Sequence, residues 1–302
     1  MTKFGVIDLG TNTFHLLIVE AEGKPPFKEL HRERRYIKLA ENGIKKIGPA
    51  PFARGLAALQ AFKSELDNYG VKKIKAIGTA ALRTASNAAE FIRQVKASTN
   101  IEVQLISGKE EAKLIHLGVV QAVPFGKEKG LIMDIGGGSV EFIIADSEKV
   151  FWSQSFPVGV AVLFNRFHKN DPIEPAEVTA IENFLEKELQ PLLEALQMYH
   201  TPKVIGASGS FEVVEEMVEI SARHPSHTLV PVAQFFPLHK KILSSSLNQR
   251  LQMEGMPASR ADLIVVAFRL MHFIICRAQI EEIIVSAYAM KEGVLREMML
   301  ND

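Results

Sequence analysis

A single cysteine, Cys276, stands among 302 residues. No intrachain disulfide can form and a four-cysteine zinc site is excluded, which suits a reducing compartment. Charge of one sign is missing as well. Thirty-five Lys and Arg balance 35 Asp and Glu, so the net charge is zero. Such a balance argues against a general nucleic-acid coat or a polybasic membrane binder, while leaving room for a local basic cleft. The longest apolar run, around Leu263 to Cys276, contains Arg269 and His272. It is too short to span a bilayer and reads as a buried helix, with Cys276 as a buried structural thiol. Only Phe4–Leu9 separates Lys3 from Gly10-Thr11-Asn12-Thr13, which does not read as a signal peptide. A soluble, cytoplasmic protein is expected. Also lacking are G-x-x-x-x-G-K-[ST], G-x-G-x-x-G, H-E-x-x-H and G-x-S-x-G.

What is there reads as an α/β chain. Hydrophobic residues make up 47% and charged residues 23%, ordinary for a globular protein, and the length suggests two domains. Strands rich in Val and Ile are expected at 3–9, 13–20, 73–77, 102–106, 130–135, 139–145, 203–205 and 283–285. Phe52, Leu56, Leu59, Leu66 and Tyr69 recur at helical spacing. Pro175 opens another helix, which Pro191 should kink. Strands mixed with helices argue for α/β layers. The stretch Val123–Lys129 breaks both periodicities and marks the expected boundary, giving domains 1–124 and 125–302.

An internal repeat supports this division. Residues 8–20 read DLGTNTFHLLIVE and residues 134–146 read DIGGGSVEFIIAD, an offset of 126. Asp8 aligns with Asp134, Gly10 with Gly136, and Thr13 with Ser139. Two unrelated hairpins would explain glycine-rich turns, but a hairpin does not need the matched aspartates. Such a turn is a phosphate-and-metal device. Glycines let backbone N–H groups approach phosphate oxygens, and hydroxyls of Thr11, Thr13 and Ser139 can add hydrogen bonds. Carboxylates of Asp8 and Asp134 can hold Mg²⁺, directly or through water. A third turn, Gly206-Ala207-Ser208-Gly209-Ser210, follows another short strand.

Five segments in order carry a resemblance: Asp8-Leu9-Gly10-Thr11-Asn12-Thr13; Gly78-Thr79-Ala80-Ala81-Leu82-Arg83 with Asn87; Ser107-Gly108-Lys109-Glu110-Glu111-Ala112; Asp134-Ile135-Gly136-Gly137-Gly138-Ser139-Val140-Glu141; and Gly206-Ala207-Ser208-Gly209. Ser286-Ala287-Tyr288-Ala289-Met290-Lys291-Glu292-Gly293 adds a sixth. Together they resemble the exopolyphosphatase/guanosine pentaphosphate phosphatase (Ppx/GppA) family, short two-domain type, over essentially the whole chain.

That resemblance implies two ribonuclease-H-like (actin-like ATPase) domains flanking a cleft where phosphates and Mg²⁺ or Mn²⁺ bind. It implies a phosphoanhydride hydrolase acting on inorganic polyphosphate or guanosine pentaphosphate, the latter with a link to the stringent response. Glu111 takes the family's place for the general base, orienting and deprotonating the attacking water. Glu110 is assigned instead to a capping box with Ser107. Arg83 is a candidate phosphate clamp. Asn12, Thr13, Gly136, Gly137, Gly138, Ser139, Ser208 and Gly209 are the expected phosphate contacts. Asp134 and Asp8 are the expected metal ligands, with Glu141 joining through water. Asn87 fits a helix N-cap. His31-Arg32-Glu33-Arg34-Arg35 can steer polyanions or form the wet face of a strand. No nucleic-acid or membrane partner is expected, and a homodimer is compatible with the sequence. A sugar or acetate kinase would share the actin-like core; the Glu110-Glu111 helix start and the Arg83 segment favour the hydrolase. Intact Glu111 and Asp134 argue against a catalytically dead nucleotide sensor.

Overall fold

Each Asp-x-Gly segment closes a buried strand and turns into a second one. The computed structural model of the protein describes residues 1–22, 27–126, 128–220 and 223–300. It divides into two units: Met1–Gly118 with Met290–Asp302, and Val119–Ala289.

In the first unit β1 (Thr2–Leu9) and β2 (Thr13–Ala21) form an antiparallel hairpin, and β3 (Lys28–Tyr36) extends it on the far side of β2. Then follow α1 (Pro49–Asn68), β4 (Lys73–Gly78), α2 (Ala80–Thr84), α3 (Ala88–Thr99), β5 (Val103–Leu105) and α4 (Gly108–Val119). The sheet runs β3-β2-β1-β4-β5, with β4 parallel to β1 and β5 parallel to β4. Val6 and Ile7 are both buried although their side chains leave opposite faces of β1. A central strand covered on both faces reads as a continuous apolar run. Phe14, Phe62 and Phe91 fill the core between the sheet and the helices. Each such side chain contributes about 1.5–3 kcal/mol by leaving water.

The second unit repeats the plan. It holds β6 (Gly130–Ile135), β7 (Val140–Ala145), β8 (Val150–Phe156), α5 (Val160–Phe167), α6 (Pro175–Glu188), α7 (Gln190–Met198), β9 (Lys203–Gly206) and α8 (Gly209–Met217). β10 (His227–Pro231), α9 (Val232–Leu243), α10 (Leu247–Leu251), α11 (Ile264–Arg277) and β11 (Glu282–Ser286) complete it. Its sheet runs β10-β11-β9-β6-β7-β8. From β8 to β11 this matches β3 to β5, with two antiparallel pairings followed by two parallel ones. β10 is an added antiparallel edge. Both units are therefore ribonuclease-H-like, the actin-like plan. The last helix, α12 (Met290–Leu300), returns to β1 in the first unit.

Several expectations change. The break falls at 118/119 rather than 124/125, and residues from 290 onward belong to the first unit because α12 packs there. Lys127, inside the expected boundary, lies outside the described residues. Pro191 does more than kink its helix: it sits in the first turn of α7, and Leu189 separates α6 from α7. The apolar run is the buried α11, buried all round from Ile264 to Ile275 apart from His272. Cys276, expected inside, is exposed, because it falls in the last turn of α11 past the buried stripe. Among the described residues no helix is long and apolar enough to cross a membrane.

Candidate active site

The two turns are the same object built twice. Gly10 N donates to Thr13 O at 3.1 Å, and Gly136 N donates to Ser139 O at 3.0 Å. A methyl group on either glycine would sit 2.8 Å from that oxygen, so only glycine closes the turn without displacing it. Register is shared as well. Asp8 lies opposite His15, and Asp134 opposite Glu141, at the same step of the hairpin. Cross-strand partners share a sheet face, so the first turn presents an Asp–His pair and the second an Asp–Glu pair. Carbonyls of each turn are taken by the chain that follows. Ile37 and Lys38 N–H groups donate to Asn12 O, and Leu39 N donates to Thr11 O. Val160, Ala161 and Gly159 donate to Gly136, Gly137 and Gly138. Asn12, Thr13 and Gly136 to Ser139 are thereby placed on the two turns. Thr11 differs from expectation: its hydroxyl is buried and accepts from Ala81 N at 3.2 Å, tying the turn to α2.

In the first unit Arg83 and Glu111 meet. Arg83 Nη1 donates to Glu111 Oε2 at 2.7 Å and to Ile106 O at 2.8 Å. Glu111 is only 7% exposed. Burial pushes its carboxyl above the ordinary range, and Arg83 opposes that rise. Glu110 turns the other way. Its carboxylate accepts from Ser107 N at 2.8 Å and Ser107 Oγ at 2.9 Å, and Ser107 Oγ accepts from Glu110 N, a complete capping box. Those bonds hold the Glu110 carboxyl below its usual range. Adjacent residues on a helix are separated by about 100°, and the two glutamates do different work for that reason. Asn87 caps α3 by position, but its amide bonds Ile47 N and Ile47 O at 2.9 Å each, so it ties down the 47 loop rather than the helix.

Asp8 is half-buried, and desolvation pushes its carboxyl up to about 7, with Lys291 pulling down and Glu111 and Glu292 pushing up. Lys291 and Glu292 open α12. Glu292 has no exposed surface, and both Arg32 Nη atoms donate to its Oε1 at 3.1 Å. Lys291 Nζ lies 3.4 Å from the same oxygen. Lys291 and Glu292 were given no role from the sequence, although the Ser286–Gly293 motif held them, and Arg32 was read only as part of a basic run. In the basic run, Arg32 also pairs with Glu29, and Arg35 and His31 pair with Glu33.

The second unit gathers Asp134, the glycine turn and Glu141. Ser139 Oγ donates to Glu141 Oε1 at 2.7 Å and Ser155 Oγ donates to it at 2.6 Å. The Ser139 hydroxyl is thus committed to Glu141, which is almost wholly buried. β9 runs parallel to β6, and Ala207 N donates to Met133 O, which carries the Ser208–Gly209 turn alongside. Ser208 caps α8 by position, while its buried Oγ has no hydrogen-bond partner among the described residues. Arg260, which sequence reasoning passed over, packs directly over Gly209, with Glu212 3.6 Å away. Among the described residues no group of three or more His, Cys, Asp or Glu is placed to hold a metal ion.

Along its whole length the chain is similar to proteins of known structure. An exopolyphosphatase from Cytophaga hutchinsonii is 36% identical, with 99% of this chain and 98% of that one covered and a TM-score of 0.92. The PPX-GPPA enzyme of Aquifex aeolicus is 22% identical over 98% of this chain and 99% of that one, with a TM-score of 0.79, and shares the fold. A model of the Ppx/GppA phosphatase family matches residues 17–302. Across nearly its full length, then, this chain belongs to the Ppx/GppA phosphatase family.

Proposed function

We propose that the protein is an exopolyphosphatase, releasing orthophosphate from the end of inorganic polyphosphate. The observation that carries this reading is the Arg83–Glu111 pair. Glu111 is buried, more basic than a solvated carboxylate, and held by a guanidinium that prefers phosphate oxygens. A terminal phosphoryl group competes for Arg83. As Arg83 turns to it, the Glu111 carboxylate is released to accept a proton from water attacking in line with the scissile anhydride. The same step therefore binds substrate and frees the base.

Backbone N–H groups of the glycine turns can meet anionic oxygens, and Asn12, Thr13, Gly137, Gly138, Ser139, Ser208 and Gly209 are the proposed contacts, the Gly136 N–H being already given to Ser139 O. Asp134 and Glu141 suit Mg²⁺ or Mn²⁺: Mg²⁺ needs one or two carboxylates and takes water and phosphate oxygens for the rest. Asp8 fits a metal less well, since the Lys291 ammonium already faces it. When bound, the ion would neutralise charge on the anhydride. The 36% identity to an exopolyphosphatase supports polyphosphate as substrate. Orthophosphate release from long-chain polyphosphate and from guanosine pentaphosphate, side by side with and without Mg²⁺, tests the reading. Faster release from polyphosphate, dependent on the ion, is expected. Release from guanosine pentaphosphate alone would reassign the substrate.

A further inference from the structure

The first unit brings together three acidic groups, Asp8, Glu111 and Glu292, and three cations to match them. Two of the cations are committed. Arg83 bonds Glu111 and Ile106 O at 2.7 and 2.8 Å. Arg32 gives both Nη atoms to Glu292 and pairs with Glu29 at 2.7 Å. Lys291 is different. Its side chain is 12% exposed, yet its ion pair is the 3.4 Å contact to Glu292, whose charge Arg32 already meets. Strong ammonium–carboxylate bonds are shorter, about 2.7–2.9 Å. An ammonium carries three donors and costs much to bury without anions. Asp8, at the start of the glycine turn, is the anion it faces.

We propose that the Lys291 ammonium binds the phosphoryl group entering at the Asp8–Thr13 turn, an assignment that rests on the phosphatase reading above. Glu292 and Arg32 are positioning residues. Locked by Arg32 and fully buried, Glu292 fixes the first turn of α12 and with it the direction of the lysine stem. Phosphate oxygens take the ammonium N–H groups that neither Asp8 nor Glu292 holds at short distance.

A purely structural role is the competing account: Lys291 as nothing more than the counter-ion of Asp8. The two separate in a binding cycle that needs neither metal nor turnover. Tripolyphosphate binding is measured by calorimetry in chelator-containing buffer for wild type, Lys291→Met, Lys291→Arg, Asp8→Asn, the Asp8→Asn/Lys291→Met double variant and Lys75→Met. Lys75 pairs with Glu297 on the same helix at 2.7 Å and serves as the control. Loss of a charge-assisted phosphate bond should raise Kd roughly tenfold or more for Lys291→Met, in both the Asp8 and the Asp8→Asn backgrounds. Lys291→Arg should recover part of it, and Lys75→Met should bind like wild type. Loss confined to the Asp8 background would make Lys291 a counter-ion only and overturn the assignment. So would unchanged binding by Lys291→Met in a wild type that hydrolyses polyphosphate. Wild-type protein that neither binds tripolyphosphate nor hydrolyses polyphosphate would overturn the phosphatase reading as well.

Discussion

Replacing Glu111 by Gln keeps the size of the side chain and an oxygen that can accept from Arg83 Nη1, now 2.7 Å away. What it removes is the base. Proton transfer by a positioned carboxylate contributes roughly 10²–10⁴-fold, so kcat should fall by about that factor. Stability should move the other way, or not at all. Burial is the largest influence on the Glu111 carboxyl and raises its pKa. The ionised form therefore weighs against folding at neutral pH, and an amide is relieved of that cost. Glu110 makes the internal control. Glu110→Ala breaks the capping box to Ser107 and should lower Tm slightly. Its kcat should hold within a small factor, and Glu110→Gln should keep both cap and activity. Phosphate release and thermal melting of all three variants decide the matter. Equal losses of kcat at the two positions, or an active Glu111→Gln, would refute the division of labour.

Further outcomes follow from the same structure. Asp8 has its carboxyl raised from 3.8 to about 7, so the folded state holds a proton that the unfolded state releases. Stability should fall as pH rises through that window, by up to about 1.4 kcal/mol per pH unit, and Asp8→Asn should flatten the slope in denaturant titrations. His239 has the opposite sign. Burial lowers it from 6.5 to about 3, helped by His272, stacked at 4.3 Å, and by Arg269, which donates to its Nε2 at 3.0 Å and pairs with Glu182. Its contribution is complete above pH 6.5 and lost as pH falls toward 3, and His239→Gln should remove that loss. Gly159→Ala would put a methyl 2.5 Å from the Gly137 and Gly138 carbonyl carbons. Backbone cannot give way cheaply there, so urea unfolding should show about 1–3 kcal/mol of destabilisation.

The repeated turn was legible because its chemistry is local. Asp, one residue, Gly and a hydroxyl residue three further on mark the hairpin, and the structure returns both copies with matching bonds. β8 and β10 were not legible, and β3 only as the wet face of a strand at His31–Arg35; all three lie at sheet edges. An edge strand is held on one side only and carries charge against unwanted pairing, so Lys28–Tyr36 lacks the apolar alternation that marks a strand. The Glu110/Glu111 division came from helix geometry and a capping pattern, again local. The meeting of Lys291 and Glu292 with Arg32 escaped because it is made by α12 returning to β1 across most of the chain. No spacing rule carries that distance. Asn87 and Thr11 misled for the same reason: each has a good local use, and a tertiary partner took the side chain instead.

The central claim is that water, activated at Glu111, attacks the terminal phosphorus of polyphosphate. Hydrolysis of long-chain polyphosphate in ¹⁸O-labelled water, followed by mass spectrometry of the released orthophosphate, tests it most directly. The account predicts one solvent oxygen in each orthophosphate released by wild type, and a rate lower by roughly 10²–10⁴-fold for Glu111→Gln. Orthophosphate without the label, or a Glu111→Gln rate equal to wild type, would contradict it.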